Sequence, residues 1–155
     1  MSRGVYSLLI QLRQKHSIRL RSGLCWNLQE GHYIYTGSAM GSGSMSLEKR
    51  LERHLKVGKK CFWHIDRLLN GYAKVLNTIY AKTGANMECK VNQKISSLPY
   101  ASPIKGFGSS DCRSGCIGHL IFLNSNPDHL IKLLRRAYSD LELNYEEMGI
   151  GLGCR

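Results

Sequence analysis

The sequence predicts an α+β fold in which a small antiparallel or mixed sheet is flanked by helices. Segments with the pattern of β-strands occur before and between segments of helical periodicity. Turn signals at Ser22-Gly23 and Glu30-Gly31 favour hairpins near the beginning of the chain. The length of 155 residues and the hydrophobic content of 43% are typical of one domain with its own apolar core.

The strands are predicted from alternating apolar residues and from residues that favour extended backbone. In the first segment, Tyr6, Leu8 and Ile10 occupy every second position and therefore share one face. Later, Tyr33 and Tyr35 do the same. We expect strands over residues 4–12, 17–21, 24–28, 32–37, 72–82 and 117–123.

The helices are predicted where apolar residues recur every three or four positions. Ser46 is a favourable N-cap for a helix that ends at Gly58, and its apolar stripe is Leu47, Leu51 and Leu55. Further helices are expected over residues 62–69, over 87–98 with Asn86 as the cap, and over 127–138 with Pro127 in the first turn. No element is predicted for residues 141–155.

The charge balance favours a polyanionic partner. Twenty-two Lys and Arg residues against eleven Asp and Glu residues give a net charge of +11. The excess lies in residues 1–105, since residues 106–155 carry five basic and six acidic side chains. A positive field attracts nucleic acid, the commonest polyanion, although a generally basic protein is the alternative.

The cysteines and the apolar segments indicate a cellular location. The six cysteines stand at positions 25, 61, 89, 112, 116 and 154, and no secretory signal accompanies them. No segment approaches the roughly 20 apolar residues of a spanning helix. We therefore expect reduced thiols, a cytoplasmic location and no membrane partner.

Two polar side chains border the apolar stripe of the helix that begins near Ser46. At about 100° per residue, Arg50 falls roughly 60° from Leu47 and His54 roughly 20°. A guanidinium at this border needs an anionic partner, and phosphate suits its planar fork. An ordinary ion pair or a hydrogen-bonded core histidine is an alternative that position alone leaves open. Glu88 lies at a similar border in a later helix, where the helix dipole is the simpler explanation.

Short motifs around these positions resemble those of the GIY-YIG endonuclease superfamily. The chain reads Gly4-Val5-Tyr6 in the first predicted strand and Tyr35-Thr36-Gly37 in a later one, and Arg50 and His54 follow in the next helix. The resemblance covers roughly residues 4–95. It implies a GIY-YIG-like core with extra strands over about residues 4–98. A C-terminal extension over about 99–155 would belong to the same domain, residues 1–155.

The resemblance implies a role for each matching residue. Tyr6 is expected to orient or deprotonate the attacking water, and Tyr35 to line the site and support that water. Gly37 is expected to allow a close approach, and Arg50 to hold the scissile phosphate. His54 is expected to act as a proton shuttle or a phosphate contact, and Glu88 to bind one Mg²⁺ or Mn²⁺ ion.

The sequence departs from the superfamily pattern in three ways. Twenty-eight residues separate Tyr6 from Tyr35, so an extra strand pair is expected between them. Six residues, 41–46, lengthen the loop before the arginine helix. Some members carry an asparagine after the glutamate, and this sequence has no secure match for it. The resemblance therefore does not supply a complete set of metal ligands.

Further candidate residues surround this core. The residues expected to bind nucleic acid are Lys49, Arg53, Lys56, Lys59, Lys60 and Trp63. Of these, Trp63 either stacks on a base or is covered by the sheet extension. Residues 106–120 and 62–66 resemble a small stand-alone subgroup of the superfamily. Cys112, Cys116 and His119 are possible zinc ligands, completed by His64 or Cys61, although packed thiols are the favoured alternative. The polar residues His64, Asp66, Ser109, Ser110 and Asp111 either border the site or belong to an ordinary surface.

Together, these features predict a metal-dependent endonuclease that cleaves DNA with Mg²⁺ or Mn²⁺. Phosphodiester cleavage needs a nucleophilic water and positive charge on the phosphate, which a hard cation and an arginine supply. One alternative is a nucleic-acid-binding module that keeps the scaffold without cleavage. Another is a zinc-stabilised interaction protein, which stoichiometric zinc would distinguish.

Overall fold

The computed structural model describes residues 2–20, 22–40, 46–55, 64–69, 73–108 and 114–149. Along the chain these residues alternate between strands and helices. The elements are β1 (Gly4–Leu12), β2 (His16–Arg19), β3 (Cys25–Leu28), β4 (Gly31–Ala39), α1 (Leu47–Leu55), α2 (His64–Leu69), β5 (Ala73–Lys82), α3 (Glu88–Ser96), β6 (Ala101–Pro103), β7 (Leu120–Leu123), α4 (Pro127–Asp140) and β8 (Tyr145–Gly149).

The strands confirm the predicted fold class. Within the described residues, six strands form one sheet in the order β6-β7-β4-β1-β5-β8, and every neighbouring pair is antiparallel. The strands β2 and β3 form a separate antiparallel pair. This pair lies between Tyr6 and Tyr35 in the chain, as the long spacing between the two tyrosines predicted.

The central strand β1 is buried on both faces, and its alternation separates two apolar clusters. Tyr6, Leu8 and Ile10 pack with α1, α2 and the β2-β3 hairpin. Val5 and Leu9 point to the other face and pack with α3 and α4. The side-chain period of two along a strand therefore places different helices on the two faces of the sheet.

The helix ends show how local hydrogen bonds position α1 and α3. The hydroxyl of Ser46 accepts from the backbone N–H of Lys49 at 3.4 Å, in agreement with the predicted cap of α1. The backbone N–H of Ser2 donates to Glu48 at 2.8 Å and lowers the pKa of Glu48 to about 2. The N-cap position of α3 is Met87, one residue after the predicted Asn86, but it is the Oδ1 of Asn86 that accepts from the backbone N–H of Glu88 at 3.3 Å. None of the described helices is long and apolar enough to cross a membrane.

Two short strands were absent from the sequence prediction. The strand β6 has three residues, and β8 lies in the acidic segment that no pattern identified. In β8, Glu147 accepts from Arg135 at 2.9 and 3.0 Å and from Asn77 at 3.0 Å. Burial raises the pKa of Glu147, but these hydrogen bonds outweigh it and lower that pKa. Polar contacts with β5 and α4 therefore stabilise this edge strand. The sequence prediction relied on alternating apolar residues and so did not identify it.

A buried hydroxyl network joins α4 to the centre of the sheet. The oxygen of Ser7 lies 2.9 Å from the hydroxyl of Thr36 and 3.0 Å from that of Tyr138. All three residues are fully buried. Burial raises the pKa of Tyr138, so its phenol stays neutral. The network fixes the register of α4 on the face opposite α1.

We expect Tyr138→Phe to lower the free energy of unfolding by about 1 kcal/mol, because Ser7 loses a buried partner. Tyr145→Phe is the matched control, since its ring packs against Tyr138 at 6.2 Å but its hydroxyl lies outside the network. Urea denaturation of both variants measures the difference. Equal losses would show that the Tyr138 hydroxyl contributes nothing specific.

Candidate active site

A hydrogen bond between Tyr6 and His54 lies at the centre of the candidate site. The phenolic oxygen of Tyr6, on β1, is 2.6 Å from Nε2 of His54, on α1. Tyr6 is 1% exposed and His54 is 3% exposed. The two rings are 5.1 Å apart and tilted by 45°. A phenol and an imidazole so close together can exchange a proton along one short bond.

The ring of Tyr35, on β4, completes a cluster with this pair. Its centroid is 6.4 Å from that of Tyr6 and 6.2 Å from that of His54. Its exposed fraction is 7%. Phe107 lies behind it, with ring centroids 6.4 Å apart. Tyr35 therefore forms one wall of the site and limits the access of water to the Tyr6–His54 bond.

Gly37 provides the space that the Tyr6 hydroxyl occupies. Tyr6 and Gly37 are directly opposite in the β1–β4 pairing. A Cβ atom at position 37 would lie 2.5 Å from the Tyr6 oxygen and 2.7 Å from Cζ. Any side chain at position 37 would therefore displace the phenol from His54.

Arg50 lies one helical turn before His54, beside the end of β4. Its Nη1 atom donates to the backbone carbonyl of Ser38 at 2.5 Å. The side chain is half-buried. Because Ser38 follows Gly37, this bond holds the guanidinium charge beside the Tyr6–His54 pair. The structure thus brings together Tyr6, Tyr35, Gly37, Arg50 and His54, five of the six residues that the resemblance matched.

The basic residues predicted on α1 differ in their surroundings. Lys49 is exposed, and its ammonium lies 3.6 Å from the carboxylate of Glu52. Arg53, expected with Lys49 to bind nucleic acid, is half-buried, and its Nε is shielded from solvent. Exposed Arg3 and Lys82 flank Gly4 at the same end of the sheet as Ser38. Positive charge therefore surrounds this end of the sheet.

Glu88 lies apart from the Tyr6–His54 pair. It begins α3, whose buried residues Val91 and Ile95 pack on the sheet face opposite α1. Its carboxylate is 3.6 Å from Nδ1 of His119. His119 in turn accepts, through its backbone carbonyl, from the N–H of Thr36 at 3.1 Å, next to Tyr35. Within the described residues, His119 therefore connects Glu88 to the tyrosine wall.

Sequence reasoning missed two residues of α3 that face His119. Cys89 Sγ is 3.8 Å from His119 Nε2, and Cys116 belongs to the same group. Asn92 is 1% exposed and donates to the carbonyl of Gly118 at 2.8 Å. The available signal was a polar edge on an amphipathic helix, formed by positions 88, 89 and 92. The helical pattern by itself does not show which residues contact this polar edge.

Several predicted site residues lie outside the described part of the chain. They are Lys56, Lys59, Lys60, Cys61, Trp63, Ser109, Ser110, Asp111 and Cys112. His64 and Asp66 belong to α2, but their side chains are outside the described set. The predictions for these residues therefore stay predictions.

A model of the family described as "Domain of unknown function DUF123" matches residues 5–143. The chain belongs to the DUF123 family. The match includes the Tyr6–His54 pair, Arg50, and the Glu88–His119 contact. No curated protein and no solved structure gave a significant match to this DUF123 chain.

Gly37→Ala tests the packing around Tyr6 in this DUF123 chain. We expect a loss of about 1–3 kcal/mol in the free energy of unfolding, because the new methyl overlaps the phenol. Gly84→Ala is the control, since a Cβ there meets no atom within 4 Å, and we expect a change below about 0.5 kcal/mol. Chemical denaturation measures both.

The cost of Gly37→Ala should be smaller in a Tyr6→Phe background, since the closest overlapping atom is then absent. An identical cost in both backgrounds would mean that the methyl acts on other neighbours.

Proposed function

We propose that this chain is an endonuclease that hydrolyses phosphodiester bonds in nucleic acid, with DNA as the preferred substrate. The observation that carries the proposal is the 2.6 Å contact between the Tyr6 hydroxyl and His54, with Arg50 one turn away on the same helix. The resemblance of these residues to the GIY-YIG motifs supports the same reaction class.

The Tyr6–His54 pair supplies the base that the attack of water requires. A phenol with a pKa near 10 is a weak base by itself at neutral pH, whereas an imidazole has a pKa near 6.5. When Tyr6 donates to Nε2, His54 can take the phenolic proton while the Tyr6 oxygen takes a proton from the attacking water. The water oxygen bonds to phosphorus as the P–O bond to the leaving sugar oxygen breaks. The proton of the water rests on His54, and the leaving oxygen takes a proton from solvent.

Arg50 supplies positive charge for the phosphate. The charge on the non-bridging oxygens of the phosphate must be neutralised as the pentacovalent transition state forms. Because Arg50 is half-buried and anchored to the Ser38 carbonyl, its charge has a fixed position beside the Tyr6–His54 pair. A guanidinium also matches the planar geometry of phosphate oxygens. Tyr35 keeps bulk water from competing for these groups.

The residues near Glu88 fit Mg²⁺ poorly. This ion prefers oxygen ligands, and a single carboxylate with waters and a substrate phosphate can be sufficient. Among the described residues, the side chain that Glu88 contacts is His119, whose Nδ1 lies 3.6 Å from the carboxylate, and an imidazole nitrogen suits softer cations. No step of the proposed reaction is therefore routed through Mg²⁺. The Mg²⁺ requirement, with Glu88 as ligand, stays a prediction from the resemblance.

The proposed activity can be tested on single-stranded, duplex, flap and branched DNA and on RNA, with Mg²⁺, with Mn²⁺ and with neither. We expect Tyr6→Phe to lower the cleavage rate at saturating substrate by about 10²-fold or more, because the ring remains and only the proton-transfer group is lost. Binding of the same substrate should be unchanged. Wild-type binding without cleavage of any substrate would favour the non-cleaving module.

Arg50→Ala should reduce cleavage by about 10²-fold or more, since a transition-state charge is lost. Lys49→Ala is the matched control, because the adjacent Lys49 is exposed and paired with Glu52. We expect only a small loss of affinity for this variant. Equal effects of the two substitutions would mean that both residues act through the general positive field.

Binding should depend strongly on salt. If about five phosphates are neutralised, the slope of log affinity against log salt concentration is near −4 to −5. Lys82→Ala should reduce that slope by about 1, because Lys82 is exposed at the positively charged end of the sheet. Lys132→Ala, exposed on α4, is the control. A flat salt dependence in fluorescence anisotropy would remove nucleic acid as the partner.

A further inference from the structure

Two thiols and an imidazole converge beside α3. The ligand atoms of Cys89, Cys116 and His119 all lie within 4.8 Å of one another. The Sγ of Cys89 is 3.8 Å from Nε2 of His119. In a tetrahedral zinc site, with Zn–S near 2.3 Å and Zn–N near 2.0 Å, ligand atoms are separated by roughly 3.5–3.8 Å. The observed spacing is therefore close to that of a zinc site, and only a small contraction is required.

The backbone around His119 holds the imidazole in place. His119 is 1% exposed. Its backbone N–H donates to the carbonyl of Phe107 at 2.7 Å, and its carbonyl accepts from Thr36 at 3.1 Å. Asn92 binds the carbonyl of the preceding residue, Gly118, at 2.8 Å. The backbone that carries the buried ring is thus held by contacts that need no metal, as in a preorganised ligand.

Two polar side chains lie next to the group of Cys89, Cys116 and His119, as polar side chains commonly do around metal ligands. The carboxylate of Glu88 lies 3.6 Å from Nδ1 of His119, on the side of the ring away from Cys89. A carboxylate on this side of the ring favours a proton on Nδ1, which leaves Nε2 for the metal. The amide of Gln93 lies 3.8 Å from the sulfur of Cys116 and can donate to a thiolate.

We infer that Cys89, Cys116 and His119 bind one Zn²⁺ ion, with Glu88 as the residue that orients His119. Thiolate and imidazole ligands select zinc over magnesium. Three protein ligands leave a fourth position for water or another donor. The ion joins the N-terminal turn of α3 to the segment that enters β7. This inference does not rest on the proposed endonuclease activity.

Elemental analysis of the purified chain, loaded with Zn²⁺ and freed of excess by gel filtration, tests the inference. We expect about one zinc per chain. Cys89→Ser and Cys116→Ser should each lose most of it. Cys25→Ser is the matched control, because Cys25 is a free, exposed thiol on β3, and this variant should keep its zinc.

Substitution with Co²⁺ gives a second readout. Thiolate-to-cobalt charge-transfer bands with visible d–d bands of tetrahedral intensity are expected for the wild type, and weaker thiolate bands for either serine variant. Glu88→Gln should weaken zinc affinity by about 10–100-fold in a chelator competition, without removing the bands. Unchanged affinity would remove Glu88 from the proposed site.

A further measurement covers the case in which the serine variants fail to fold. Titration of wild-type thiols with a mercurial should release the zinc, detected with a chromophoric chelator, in step with the loss of the two thiols. No zinc retained after loading, or equal loss in Cys25→Ser, would overturn the inference in favour of packed thiols. No nucleic acid enters these assays, so a failure here is distinct from a failure to cleave DNA.

Discussion

The arrangement of the candidate site depends on the close approach of β1, β4 and α1 at Gly37. The Tyr6 hydroxyl occupies the space where a side chain at position 37 would lie, and from there it reaches His54. Two further contacts keep α1 at the required distance. Arg50 binds the carbonyl of Ser38, and the N–H of Leu47 donates to the carbonyl of Ser2 at 2.8 Å. The helix is therefore held beside both strands, and the proposed reaction would need little reorganisation of these groups.

The buried central strand keeps two kinds of polar chemistry apart. On one face of β1, Tyr6 meets an imidazole that can accept a proton. On the other face, Ser7 meets only neutral hydroxyl groups, those of Thr36 and Tyr138. Tyr6 and Ser7 are neighbours in β1, and their side chains point to opposite faces of the sheet. Their hydrogen bonds therefore involve different helices and differ in chemical character. The first contact suits proton transfer, and the second stabilises the packing of α4.

The sequence predicted those parts of the site that depend on local periodicity. Arg50 and His54 are one helical turn apart, so helix geometry alone placed both at the border of the apolar stripe. The cysteine group was different. Chain proximity suggested Cys112 as the partner of Cys116 and His119, whereas the structure brings in Cys89, 30 residues before His119. Only the packing of α3 against the segment before β7 creates that contact, and no spacing rule for metal ligands covers it.

The two polar centres are linked through the main chain. Gly108, with a φ of +68°, lies between Tyr35 and His119, and a Cβ there would be 3.1 Å from the Tyr35 ring and 3.4 Å from the His119 Cβ. The carbonyl of Phe107 accepts from His119, while the Phe107 ring packs on Tyr35. A metal bound by His119 would therefore stiffen the wall that Tyr35 provides, while the Tyr6–His54 bond depends on β1 and α1. If both proposals hold, the sulfur-rich centre supports the shape of the site, and the proposed bond cleavage is the task of the tyrosine, histidine and arginine.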